Sequence, residues 1–148
     1  MNSKKMLICF VDDERDTVAP IITELKAMGI FEIKDYSQYQ QVPDEVVENA
    51  ELFVLDVWTT EEQTSDAFVR FVRRISKRKP FIAFTTAHEK SQISLPSGDS
   101  VGLREFVLSH AGLCVVKKRD MSGERWRYEF RLDVLQDVLW FYWATRSR

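Results

Sequence analysis

The apolar positions of this chain fall into short closed runs and longer periodic stretches that alternate along its length. Met6-Leu7-Ile8-Cys9-Phe10-Val11 is continuous and apolar, and it stops abruptly at Asp12-Asp13. A bounded run of that length fits a strand buried on both faces of a parallel sheet. Val18, Ile21, Ile22, Leu25 and Met28 then repeat at helical spacing, and Gly29 supplies a stop. Pro20 is tolerated freely only in a first turn, so this helix is expected to begin near Asp16 or to bend. Phe31–Tyr36 predicts a second strand, Pro43–Ala50 a short helix, and Leu52–Leu55 a third strand ending at Asp56. Phe68, Phe71, Val72 and Ile75 mark a helix that stops before Pro80. Phe81–Phe84 predicts a fourth strand, ending in Thr85-Thr86. Ala87–Ser100 has no period and contains Pro, Gly and Ser, so it reads as a long loop. Val101–Ser109 follows as a helix, and Leu113–Val116 as a fifth strand ending in Lys117-Lys118. Two patterns compete at the end. Trp126, Tyr128, Phe130 and Leu132 alternate as in a strand, whereas Leu132, Leu135, Val138, Leu139 and Tyr142 keep a helical period. A final helix is expected from about Leu132 onward, with its beginning left open.

Five strands alternating with helices imply a doubly wound parallel sheet with helices on both faces. The 148 residues suit one domain, 1–148, and 45% hydrophobic residues suffice for a core. Right-handed crossovers carry every strand's C-terminal end to the same edge, where such sheets bind ligands. That step gathers Asp12, Asp13, Asp56, Thr85 and Lys117 onto one rim. Charge narrows the partners. With 21 basic and 23 acidic residues the net charge is −2, which argues against nucleic acid. The basic run Arg70–Lys79 reads as a solvated helix face. Cys9 and Cys114 lie far apart in apolar runs and read as buried, reduced thiols of an intracellular protein. No stretch has the length of a membrane span or a signal sequence, so a cytoplasmic location is expected.

Three carboxylates on one rim repel one another unless a cation neutralises them. Magnesium suits a site of a few carboxylates plus waters. A lysine can pair with an added phosphoryl group, and a threonine hydroxyl can donate to its oxygens. The set is therefore suited to covalent phosphorylation of a carboxylate. Taken singly, each acid at a strand end could equally be a helix N-cap.

Over nearly its full length the pattern resembles the receiver domain of two-component response regulators. The residues that carry the resemblance are the paired acids in Phe10-Val11-Asp12-Asp13-Glu14, Asp56 at the end of the third strand, Thr85 at the end of the fourth, and Lys117 in Val115-Val116-Lys117. The resemblance implies a sheet of order 2-1-3-4-5, with Asp56 as phosphoacceptor. It implies Mg2+ held by Asp12, Asp13, Asp56 and the backbone carbonyl of Trp58, and phosphoryl contacts from Thr85 and Lys117. The expected donor is a sensor histidine kinase or a histidine phosphotransfer protein. The expected role is a stand-alone regulator that signals by conformational change and has at most slow self-phosphorylation and dephosphorylation chemistry.

Several positions depart from the family pattern. Thr60 and Thr64 stand where Pro and Gly are usual, and Lys118 follows Lys117 in place of Pro, so Lys117 is preferred as the pocket lysine with Lys118 as the alternative. Cys114 replaces the aromatic switch residue three positions before Lys117, and the segment from Thr85 to Lys117 is long. These departures favour the main rival, a receiver-like interaction module that is never phosphorylated. A haloacid-dehalogenase type of phosphatase would need an acid at Trp58, and a flavodoxin would need a phosphate loop where Asp12-Asp13-Glu14 stand. Trp140, Phe141, Tyr142 and Trp143 cannot all face one side of a helix, so some are expected at the surface. A homodimer through the last helix is the hypothesis they raise. His88 and His110 have no metal-ligand spacing and read as surface or loop residues.

Overall fold

A computed structural model describes residues 4–57, 66–75, 79–85, 92–95, 97–117 and 125–146; the side chains of 85, 117 and 125–128 lie outside this description. The elements run β1 (Met6–Val11), α1 (Arg15–Ala27), β2 (Phe31–Tyr36), α2 (Asp44–Asn49), β3 (Leu52–Asp56), α3 (Asp66–Arg74), β4 (Phe81–Thr85), β5 (Gln92–Ser94), β6 (Ser100–Gly102), α4 (Leu103–Ser109), β7 (Gly112–Lys117) and α5 (Arg125–Arg146). Five strands form one sheet in the order β2-β1-β3-β4-β7, and all four pairings are parallel. This is the expected order 2-1-3-4-5, with β7 as the fifth sheet strand.

The two-residue period of each strand sorts its side chains between two cores. Met6, Ile8 and Phe10 of β1 join Leu52, Val54, Ile82 and Phe84 under α1 and α5. Cys9 and Val11 join Phe53, Leu55, Phe81 and Ala83 under α2, α3 and α4. Continuous apolar runs are thus required because both faces are covered. Aromatic edges lock the helices on. Phe130 of α5 meets Phe84 edge-on at 5.5 Å, and Phe71 of α3 meets Phe53 at 5.8 Å. The Lys79 ammonium donates to the carbonyls of Val47 (2.6 Å), Glu48 and Ala50 (3.3 Å), so a cation closes the C-terminal end of α2. The basic run is therefore mixed: Arg70 and Arg73 are solvated, whereas Lys79 caps a helix.

Three sequence expectations need correction. The loop expected over Ala87–Ser100 contains an antiparallel hairpin, β5 against β6, and the helix expected from Val101 begins at Leu103 because Val101 and Gly102 belong to β6. Each hairpin strand has three residues, too few for an alternation to register. Its turn is built locally: Leu95 N–H donates to Asp99 O at 2.8 Å, and Gly98 takes φ +91°. Ile93 is fully buried and anchors the hairpin to the core. At the C-terminus the helical period prevails over the alternating one, since α5 begins at Arg125. α1 begins at Arg15, as expected of a start near Asp16, and Pro20 stands inside it at an exposed position, where it removes one amide from the helix ladder. Finally, Cys9 is buried as expected, but Cys114 is only half-buried. Trp140 and Trp143 are exposed while Phe141 is buried, in line with the division expected of that cluster.

Candidate functional site

β1 and β3 lie side by side at the centre of the sheet, with Val11 opposite Leu55. The next residue of β3 is Asp56, and the next residues of the chain after β1 are Asp12 and Asp13. Strand register therefore forces the three acids together. Each offers a carboxylate oxygen, and these oxygens lie within 4.8 Å of one another. Asp12 is fully buried and Asp56 is 3% exposed, while Asp13 is half-buried. An Asp12 oxygen accepts the Glu14 N–H at 2.8 Å as the chain turns into α1. The capping role anticipated for an acid at a strand end is not what Asp12 performs: α1 has Glu14 at its N-cap, and the Asp12 contact is an Asx turn ahead of the helix.

The other predicted site residues are placed through the backbone. Asp56 pairs with Phe84, and the next pair along β4 and β7 is Thr85 with Lys117. Both strands thus end on the edge that holds the acids. Trp58, Thr60, Thr64, Thr86, Ala87, His88 and Lys118 lie outside the described residues, as do the side chains of Thr85 and Lys117. His110 sits at the end of α4, stacked on Phe106 with 4.2 Å between centroids.

One participant had no signal in the sequence. Tyr39 lies in a single 3-10 turn (Tyr39–Gln41) between β2 and α2, and its hydroxyl donates to the main-chain carbonyl of Asp56. Burial pushes the Tyr39 phenol well above its ordinary range, and the nearby charges of Asp56 and Asp12 push it the same way. The group therefore stays protonated and acts as a donor. Nothing in Ser37-Gln38-Tyr39 marks that position in advance, because the contact depends on how the turn folds back over β3.

Buried, clustered carboxylates are costly unless neutralised. An all-oxygen donor set at this spacing fits a hard divalent cation such as Mg2+, which takes one or two carboxylates and keeps several waters. No other cluster of three potential ligands occurs among the described residues.

No protein-family model and no curated protein matches the chain. Solved structures do. The Salmonella typhimurium RcsB response regulator superposes with a TM-score of 0.65 at 10% identity, over 96% of this chain and 62% of that one. The response regulator domain of Thermotoga maritima CheB gives 0.62 at 8% identity, over 91% and 94%. The receiver domain of Francisella response regulator 1452 gives 0.60 at 14% identity, over 96% and 100%. The fold is that of a response regulator receiver domain. Against RcsB the chain spans less than two thirds of its neighbour's length.

Within this fold, Cys114 makes a contact of its own. The Cys114 thiol of β7 donates to an Asp137 oxygen of α5 at 3.2 Å. Partial burial pushes that thiol up to about 12, and the Asp137 contact adds to the shift. This contact ties β7 to α5. Among the described residues no helix is long and apolar enough to cross a membrane.

Proposed function

We propose that this chain is a phosphorylation-competent receiver domain in which Asp56 accepts a phosphoryl group. The observation that carries the reading is the meeting of Asp12, Asp13 and Asp56 within 4.8 Å at the C-terminal edge of a receiver-type sheet. Asp12 and Asp13 are the residues that would hold Mg2+ together with an Asp56 oxygen and the Trp58 carbonyl. When bound, the ion supplies positive charge that screens the incoming phosphate from the carboxylates. An Asp56 oxygen attacks phosphorus, the phosphorus–nitrogen bond of a phosphohistidine breaks, and an acyl phosphate forms on Asp56. The histidine belongs to a sensor kinase or phosphotransfer protein in the cytoplasm. Thr85 and Lys117 hold the phosphoryl oxygens, and residues after Val57 govern the access of water. The domain is then a substrate and carrier of the phosphoryl group, with only slow chemistry of its own.

The test is a magnesium titration followed by beryllofluoride, a mimic of the acyl phosphate, read by tryptophan fluorescence. The expected result is a saturable magnesium response and a further change with beryllofluoride. Asp56→Asn abolishes the second, and Trp58→Phe identifies the reporter. The Cys114–Asp137 contact favours a second reading, an unphosphorylated interaction module, which predicts no response to either addition in folded protein.

A further inference from the structure

The peptide unit that leads out of Asp56 is held from both sides. Val57 N–H donates to Phe84 O at 3.0 Å, across to β4. The C=O and N–H of one trans peptide point opposite ways, so the Asp56 carbonyl turns toward β1. The β1–β3 ladder has already ended there, at Val11 and Leu55. The Tyr39 hydroxyl takes up that carbonyl. Tyr39 is itself fixed: it is 4% exposed, and its ring packs on Phe71 at 5.0 Å. Its turn is tied by the Gln41 side chain, which accepts from Ser37 N–H (3.1 Å), the Ser37 hydroxyl (3.0 Å) and Gln38 N–H (3.2 Å). Arg74 of α3 then donates to Val42 O at 3.2 Å and pairs with Asp44, which clamps the segment after the turn.

We propose that Tyr39 is a positioning residue for Asp56, pinning its backbone so that the carboxylate meets Asp12 and Asp13 in the geometry needed for cation binding and phosphoryl acceptance. The proposal rests on the reading of Asp56 as the phosphoacceptor. It also gives the site a mechanical tie to the β2–α2 segment. Any displacement of the Asp56 backbone on phosphorylation is passed through one hydrogen bond to the Tyr39 turn, and from there to Arg74 of α3. That route leaves the site on the side opposite β7, where Cys114 stands in place of a switch aromatic.

Tyr39→Phe keeps the ring in the core and removes only the hydroxyl. The measurements are the magnesium affinity by calorimetry and the beryllofluoride midpoint by tryptophan fluorescence. A lost positioning hydrogen bond is expected to weaken both by about three- to tenfold. Phe71→Leu is the packing control. It loosens the same core but leaves the hydroxyl, and its two midpoints are expected to stay within about twofold of wild type. Wild-type midpoints in Tyr39→Phe overturn the proposal and leave the phosphoacceptor reading standing. Equal shifts in both variants also overturn it, because packing alone then accounts for the effect. A wild-type protein that answers neither magnesium nor beryllofluoride removes the phosphoacceptor reading, and the proposal with it.

Discussion

The two halves of the sheet bring their residues to the rim by different means. In β2, β1 and β3 the ladders run without interruption, and the acids follow directly from strand ends whose register is fixed by buried neighbours. In β4 and β7 the register shifts between Phe81 and Ile82, a hairpin is inserted before α4, and Ala111 turns at φ 65° just ahead of Gly112. The cysteines reflect the same contrast. Cys9 is sealed in the centre, whereas Cys114 is half-buried and tied to Asp137. The chemistry of the acid cluster demands an invariant geometry, and the central strands supply it by packing. The β4–β7 edge brings its strand ends into line by a less regular path.

High pH probes the thiols of both halves. Burial pushes the Cys9 thiol up to about 12 from an ordinary 9.0, with the Asp35 charge adding to the shift. Between those values the folded state keeps the thiol proton and the unfolded chain releases it. Stability from this group is therefore full below pH 9 and is lost as pH rises toward 12, by up to about 4 kcal/mol at 1.36 kcal/mol per pH unit. Urea melts at stepped pH should show that decline, and since both thiols are pushed up to about 12, Cys9→Ala and Cys114→Ala should each flatten part of it; a decline untouched by Cys9→Ala would mean that the central thiol is not sealed from water. Next in size is Gly112→Ala. A Cβ there would lie 2.6 Å from the Val107 carbonyl oxygen and 2.9 Å from the Phe81 ring, so a loss of about 1–3 kcal/mol is expected by chemical denaturation.

These positions also show what the sequence could convey. β1, β3 and the acids were legible because each run is apolar on both faces and meets an acid at its end, and β2 because Phe31 and Ile33 alternate with exposed Glu32 and Lys34. Asp12 beside Asp56 followed from strand order and crossover hand. The hairpin was not legible, since three-residue strands carry no period and Ile93 is identified as core only by what it packs against. Tyr39 was hidden for a related reason: its role depends on a backbone carbonyl, which no side-chain pattern announces. The start of α5 was ambiguous because Trp126, Tyr128, Phe130 and Leu132 satisfy an alternation that the helix then overrides.

Two smaller effects test the halves separately. In the central half, Asp56→Asn removes one of three mutually repelling charges, so metal-free protein should gain on the order of 1 kcal/mol. On the proposed reading magnesium should raise the melting temperature of the wild type through linkage, and the same variant should lose that rise. Thermal melts with EDTA and with magnesium read both signs at once. At the edge, Ala111→Gly relieves a left-handed residue. It should add about 0.5–1 kcal/mol, visible as a higher urea midpoint at unchanged slope.

The all-parallel register has a kinetic consequence. No two neighbouring sheet strands can meet by a tight turn. Even Met6 and Phe31 must wait for a helix to form between them, and Ile8 with Leu52 spans two crossovers. Each pairing closes a large loop before it gains any contact, so the folding barrier is dominated by chain entropy and refolding should be slow for a domain of this size. β1 is the last place where that delay can be avoided, because it must recruit partners on both sides before the three aspartates face one another. The acidic cluster is then assembled late, after most of the apolar surface is buried, so its repulsion acts mainly by speeding unfolding and weighs little on the search that precedes it.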